Sequence, residues 1–167
     1  MLRVFGGKLR VRVCGIAVDG DRLLLVNLRN VTHGGDLWCP PGGGMAFGES
    51  ATETLRREFL EETGLEVEPG ELLFVNEFIG NGLHAVELFF QVRVTGGVLR
   101  RGHDPELQTQ VLADIGYFTF AEMRRHRPDE LHNLFRHCDS VPELLALRGY
   151  LKPHPGPPQG EGEKKAF

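Results

Sequence analysis

Residues 43–65 read GGMAFGESATETLRREFLEETGL, and the helix inside this stretch is the element around which the rest of the chain must pack. Ser50 and Glu53 have the Ser-x-x-Glu spacing of a capping box, in which each side chain satisfies the other residue's backbone N–H at a helix start. Ala51, Leu55 and Phe59 recur every four residues and form one apolar stripe. Gly64 is placed to serve as a left-handed C-terminal cap, with Leu65 as the apolar residue that accompanies such a cap. Together these signals predict a helix over Ser50–Thr63 with one face against a core.

The same helix is overloaded with acid. Glu53 is accounted for by the cap, whereas Glu58, Glu61 and Glu62 are not. Glu58 lies three residues before Glu61 and four before Glu62, so the side chains are neighbours, and each like-charged pair costs about 0.2–0.5 kcal/mol in an isolated helix. Glu61 and Glu62 also occupy the last turn, where the helix dipole disfavours anions. Glu58 and Glu62 project close to the direction of Ala51 and Leu55, at the border of the core stripe. Carboxylates crowded there call for a cation, and oxygen ligands suit a hard divalent ion such as Mg²⁺ or Mn²⁺. Arg57, four residues before Glu61, is placed to orient it by an ion pair. The plain alternative is a solvated acidic face paired with Arg56 and Arg57. Ahead of the helix, Gly42, Gly43 and Gly44 allow backbone to approach a ligand closely, and Glu49 falls at the same acidic end. A glycine loop feeding an acidic helix is a sensible way to hold a metal-bound pyrophosphate.

Gly43, Glu49, Arg57, Glu58, Phe59, Glu61, Glu62, Gly64 and Leu65 match the pattern G-x5-E-x7-R-E-U-x-E-E-x-G-U, with U a bulky apolar residue. At these residues the chain resembles the Nudix hydrolases, and Trp38 with Pro41-Gly42-Gly43 resembles the lead-in seen in many members. The resemblance implies an α/β fold, an α/β/α sandwich with a mixed sheet. It implies Mg²⁺ or Mn²⁺ as cofactor, bound by Glu58, Glu61 and Glu62, with Glu49 contributing to the site. Arg57 is then the residue that orients carboxylates, and Glu61, Glu62 and Arg57 are catalytic candidates. Gly43, Gly44 and Arg29 are the candidate substrate-binding residues. The substrate implied is a nucleoside diphosphate linked to a further group.

Outward from the helix, Leu9–Val18 reads as a strand, Asp19-Gly20 as a tight turn and Arg22–Leu28 as the return strand of a hairpin. Residues 30–35 read as a loop, and 40–44 cannot be helix. Glu71–Ile79 and His84–Val94 read as strands around Gly80-Asn81-Gly82. A polar loop at Arg100–Glu106 precedes a strand at Val111–Phe120 and a short helix at Phe120–His126. Asp129–His137 and Val141–Leu147 read as helical. Residues 153–167, rich in Pro, Gly, Glu and Lys, read as a disordered tail after a single domain at 1–152.

Composition agrees with one globular domain: 167 residues, 41% hydrophobic and 25% charged. A net charge of −4 with a sequence pI near 6.0 argues against a nucleic-acid-binding face. It does not argue against a phosphate substrate, because a metal supplies positive charge locally. Three cysteines without a CxxC pair argue against a disulfide framework and a structural zinc site. Cys14 reads as a small buried hydrophobe, and Cys39 as a buried structural thiol. With no signal-peptide pattern and no apolar run of membrane-spanning length, a cytoplasmic setting is expected, with no membrane partner. A homodimer is expected from the resemblance.

Gly80, Gly82 and Ala85 formally match a dinucleotide-binding pattern, but His84–Val94 reads as strand where that pattern needs helix. His132 and His137 lack zinc-site spacing and read as surface or capping residues. Phe74, Phe78, Phe89 and Phe90 read mostly as core. The function expected is metal-dependent hydrolysis of a phosphoanhydride. A non-catalytic nucleotide-sensing module and a diphosphate isomerase are the alternatives. Residues 30–36 and 76–83 are expected to select the leaving group. Glu106, in the loop His103-Asp104-Pro105-Glu106, is the candidate base, since loops of this kind commonly carry function.

Overall fold

A computed structural model of the chain describes residues 7–32, 35–80, 83–102 and 112–153. The predicted hairpin strands are β1 (Leu9–Ile16), β2 (Val18–Asp19) and β3 (Arg22–Thr32). β4 (Gly35–Cys39) and β5 (Gly42–Gly44) follow. Helix α1 (Ala51–Thr63) leads into β6 (Leu65–Gly80) and β7 (Leu83–Gly97). β8 (Leu112–Thr119), α2 (Phe120–Met123), two single 3₁₀ turns, α3 (Val141–Ala146) and β9 (Gly149–Leu151) complete the described chain.

A five-stranded sheet runs in the order β5-β1-β7-β6-β9. It is mixed, as expected: β1 pairs in parallel with β7, while β5 is antiparallel to β1 and β6 to β7. In the second sheet β3 is central, flanked by β2 and β4 on one edge and β8 on the other. Alternation along β1 sends Val13 and Gly15 toward α1, and Arg12, Cys14 and Ile16 toward the opposite face. Leu55 and Phe59 of α1 pack with Val13, Val67 and Val92 in one core. Cys14, Ile16, Phe74 and Phe89 pack with Trp38, Phe120, Leu134 and Leu144 in another. Helices thus cover both outer faces, giving the α/β/α layering.

Helix α1 carries the predicted caps: Ser50 and Glu53 form a reciprocal capping box, and Gly64 adopts φ +70° with its N–H on Leu60 O. Gly15 sits under Phe59, and a Cβ there would fall inside 3.0 Å of the ring, so the helix seats directly on β1 backbone.

Several boundaries differ from the sequence reading. β3 continues to Thr32 and β4 opens at Gly35, so part of the expected loop at 30–35 is strand, held by the Thr32–Gly35 pairing. β6 starts at Leu65 rather than near residue 71. Its Leu65-Glu66-Val67-Glu68 alternates buried and exposed, a period-two signal that proximity to the helix cap obscured. The expected helix at Val141–Leu147 forms as α3, whereas Asp129–His137 breaks into two short 3₁₀ turns, each held by tertiary packing rather than by helix length. β9, unforeseen, pairs with β6 at Phe74–Asn76. Asn76 lies buried in β6 rather than in a loop.

Candidate active site

The site forms where β5 delivers its glycines beneath α1. β5 is an edge strand three residues long, registered against β1 as Arg12–Gly44, Val13–Gly43 and Cys14–Gly42. Gly42 has φ +152°, a conformation L side chains rarely adopt, and Val13 backbone lies against its Cα. A Cβ on Gly43 would fall well inside 3.0 Å of the Glu58 carboxylate. Only glycine permits this approach of helix carboxylate to strand backbone.

Arg57 is the hub of the acidic cluster. Its Nε donates to Glu49 Oε1 at 2.9 Å and its Nη2 to Glu49 Oε2 at 3.0 Å, a bidentate pair. Nη1 donates to Glu58 Oε1 at 2.8 Å and to Glu61 Oε2 at 3.2 Å, and Nη2 also reaches Gly44 O at 3.3 Å. One guanidinium therefore gathers three carboxylates and ties the helix to β5. Glu49 also accepts from Thr54 Oγ1 at 2.8 Å and from the Ala46 N–H at 3.3 Å. The hydrogen bonds from Arg57 are the main reason that its carboxyl is held at about 2, against the opposing effect of desolvation. The same contacts raise the Arg57 guanidinium above its ordinary range.

Glu62 belongs to a different arrangement. Its Oε2 accepts from the Gly42 N–H at 2.9 Å, in a buried setting. Glu58 and Glu62 are both buried, as their place beside the apolar stripe predicts. The unfavourable dipole at this helix end is relieved by residues 98–102. The N–H groups of Gly102, Arg100 and Val98 donate to the carbonyls of Glu62, Thr63 and Gly64, so these carbonyls at the helix end are paired.

Glu49, Glu58, Glu61 and Arg57 are thus brought together, with Gly43 and Gly44 against them and Glu62 anchored alongside. Arg29 projects from β3, exposed, on the second sheet. Glu106 lies outside the described residues. Among the described residues no three side chains converge as a preformed metal cage; the carboxylates engage Arg57 and Gly42 instead. By donor chemistry the group still fits a hard divalent cation. It offers carboxylate oxygens only, it is acidic around a single guanidinium, and Gly43 lets the Glu58 carboxylate lie directly against the β5 backbone.

Sequence reasoning missed a buried polar network on the opposite face of β1. Arg12 Nη2 donates to Gly42 O at 3.0 Å, and Arg12 Nε lies 3.5 Å from Glu87 Oε1. Glu87 Oε2 accepts from Asn76 Nδ2 at 2.7 Å and contacts His132 Nε2 at 2.8 Å. Asn133 Nδ2 donates to Asn76 Oδ1 at 2.8 Å. The Leu134 N–H donates to His132 Nδ1 at 3.2 Å, so the ring proton sits on Nε2 and is donated to Glu87. Burial alone would raise the Glu87 carboxyl; His132, Arg12 and Asn76 overcome it and hold the group at about 2. His132 is therefore buried, not a surface residue, although it does cap a 3₁₀ turn (Asn133–Arg136). The available signal was a charge inside each apolar strand, Arg12 between Val11 and Val13 and Glu87 between Val86 and Leu88. Alternation assigns such residues to solvent unless the covering element is known. Of the four phenylalanines expected in the core, Phe74 and Phe89 are buried and stacked, Phe90 is half-buried, and Phe78 is exposed.

Comparison with known proteins places this geometry in context. The family model described as "NUDIX domain" matches residues 8–138. The chain is 30% identical over 152 residues to the uncharacterized Nudix hydrolase YvcI of Bacillus subtilis, covering 83% of this chain and 92% of that protein. It is 34% identical over 107 residues to the 8-oxo-dGDP phosphatase NUDT18 of Homo sapiens, covering 61% of this chain. The matched part spans only about a third of that human protein, 32%. A solved MutT Nudix hydrolase from Burkholderia pseudomallei superposes with a TM-score of 0.61 at 26% identity, covering 77% of this chain and 94% of that chain.

Proposed function

The chain belongs to the Nudix family, and on that premise we propose that it is a metal-dependent pyrophosphohydrolase acting on a nucleoside diphosphate derivative. The observation that carries this reading is the convergence of Glu49, Glu58 and Glu61 on Arg57, with Glu62 tethered to the glycine strand. A cluster serving stability alone would not need several crowded acids beside a strand kept free of side chains.

Glu58, Glu61 and Glu62, with support from Glu49, would hold Mg²⁺ or Mn²⁺. Such an ion supplies charge neutralisation of the diphosphate and a lowered pKa for a coordinated water. The protein's own residues do the positioning. Arg57 orients Glu58 and Glu61 through a single nitrogen, and its bidentate grip keeps Glu49 ionised. Glu106 is the proposed base, with Glu49 or Glu61 the alternative. Gly43 and Gly44 would bring backbone close to the metal and the phosphates.

The substrates named for relatives supply the panel: 8-oxo-dGDP for the human protein and ADP-ribose for the Methanocaldococcus jannaschii ADP-ribose pyrophosphatase, 33% identical over 96 residues. Nucleoside triphosphates and sugar nucleotides complete it. The test is product analysis with Mg²⁺, with and without chelator. Chelator-sensitive cleavage at the phosphoanhydride is expected. Tight binding without turnover would instead indicate a sensing module, and an isomeric product without hydrolysis an isomerase.

A further inference from the structure

Glu49 precedes α1, so the helix itself does not set its carboxylate against those of Glu58 and Glu61. Its two oxygens are held differently. Oε2 accepts from Thr54 Oγ1 at 2.8 Å, from Arg57 Nη2 at 3.0 Å and from the Ala46 N–H at 3.3 Å. Among the described residues, Oε1 accepts only from Arg57 Nε, at 2.9 Å. A carboxylate oxygen has about two lone-pair sites, so Oε2 is filled by protein donors and Oε1 keeps one site open. We propose that Thr54 is a positioning residue for Glu49: its hydroxyl pins Oε2 to the helix and leaves Oε1 as the single oxygen offered to a divalent cation. The inference rests on the reading that these acids serve a metal-dependent reaction.

Of the three donors to Oε2, Thr54 is the most rigidly mounted. The Arg57 guanidinium hangs on a long side chain with many rotamers and divides its nitrogens among Glu49, Glu58, Glu61 and Gly44 O. The Ala46 N–H belongs to the exposed loop between β5 and α1 and makes the longest contact. The Thr54 hydroxyl stands one stiff torsion from the helix backbone, and the residue is completely buried. Through it Glu49 is referenced to the same helix that carries Glu58 and Glu61.

Helix chemistry does not account for where this hydroxyl points. A threonine in a helix finds a ready acceptor in the carbonyl four residues back. Thr63, the other buried threonine of α1, uses it and donates to Phe59 O at 2.6 Å. For Thr54 that acceptor is Ser50 O, which takes the Thr54 N–H at 3.0 Å, while the hydroxyl turns to Glu49. Packing does not call for the hydroxyl either, because valine would fill a similar volume with no buried polar group to satisfy.

A fixed carboxylate offering one oxygen suits Mg²⁺ or Mn²⁺, which hold octahedral geometry, whereas Ca²⁺ accepts bidentate carboxylates and a looser shell. Releasing Glu49 should therefore cost Mn²⁺ more than Ca²⁺. The test compares Thr54→Val and Thr54→Ser in the full chain, without substrate. Mn²⁺ binding is read by electron paramagnetic resonance, Ca²⁺ binding by displacement of bound Mn²⁺, the Ala46 amide proton by NMR, and folding by the melting temperature. Thr54→Val is expected to weaken Mn²⁺ binding about tenfold, the lower end for groups that orient metal ligands. It should weaken Ca²⁺ binding less and move the Ala46 amide resonance. Thr54→Ser keeps the hydroxyl and should restore Mn²⁺ affinity and the resonance toward wild type. In a Glu49→Ala background, Thr54→Val should weaken Mn²⁺ binding no further, because the hydroxyl acts through that carboxylate. Mn²⁺ affinity unchanged in Thr54→Val, equal losses for the two ions, equal losses in the two variants, or additive losses in the double variant would each overturn the proposal. If the wild-type protein binds no Mn²⁺, the hydrolase reading fails, and an Ala46 resonance that Thr54→Val leaves in place would then overturn the placement of Glu49 by Thr54 as well.

Discussion

Gly43→Ala and Gly44→Ala differ by one position in β5 and should differ sharply in effect. The Cβ of an alanine at 43 would fall well inside 3.0 Å of the Glu58 carboxylate, which is buried and bonded to Arg57. That carboxylate cannot swing away freely, so carboxylate or strand must give by roughly 1 Å, a displacement that costs about a hundredfold in rate when it falls on reacting groups. Overpacking of this kind also costs about 1–3 kcal/mol of stability. At 44 the Cβ would meet Arg10 Nη2 at 2.9 Å, the far end of a flexible side chain that can move aside. Gly44→Ala should therefore change stability by no more than about 1 kcal/mol, well short of the loss at Gly43. The assay is kcat at saturating Mg²⁺ and nucleotide, with thermal melting of each variant. Equal losses in the two variants, or full activity in Gly43→Ala, would refute the claim that the glycine is required by the approach of Glu58.

Other perturbations address the acids. Glu58→Gln and Glu62→Gln should each reduce turnover on the order of a hundredfold while the protein stays folded, since an amide keeps the shape but loses the anionic ligand; unfolding on circular dichroism, or full activity, would make the acids structural. Glu49 titrates at about 2 in the folded protein against an ordinary 4.5, so its contribution to stability is complete above the ordinary value and is lost as pH falls toward 2. Arg57→Met should flatten the dependence of melting temperature on pH across that window, and unchanged slopes would show that Arg57 is not what holds the carboxyl down. Glu106→Gln should lower kcat by about ten- to a hundredfold and alter the acidic limb of the pH–rate profile at saturating Mg²⁺. An unchanged profile would return the role of base to the helix or its preceding loop, Glu61 or Glu49.

What the sequence determined by itself is what depends on neighbours a few residues apart. The capping box, the Leu55–Phe59 stripe, the left-handed Gly64 and the crowding of Glu58, Glu61 and Glu62 all arise within one helix and its two ends, where spacing translates directly into geometry. The pull of Arg57 on Glu61 was legible for the same reason, being a contact four residues along one helix. Tertiary structure alone decided that Arg57 grips Glu49 with two nitrogens, that Glu62 turns away from this cluster toward Gly42, and that His132 reaches Glu87 across 45 positions. Alternating polar and apolar residues in β1 and β7 carry the same pattern whether the polar ones face water or a covering turn. The enclosure of half-buried Arg12 and buried Glu87 was fixed by strand register and by the C-terminal segment that reaches Glu87, both of which are long-range choices that no local spacing encodes.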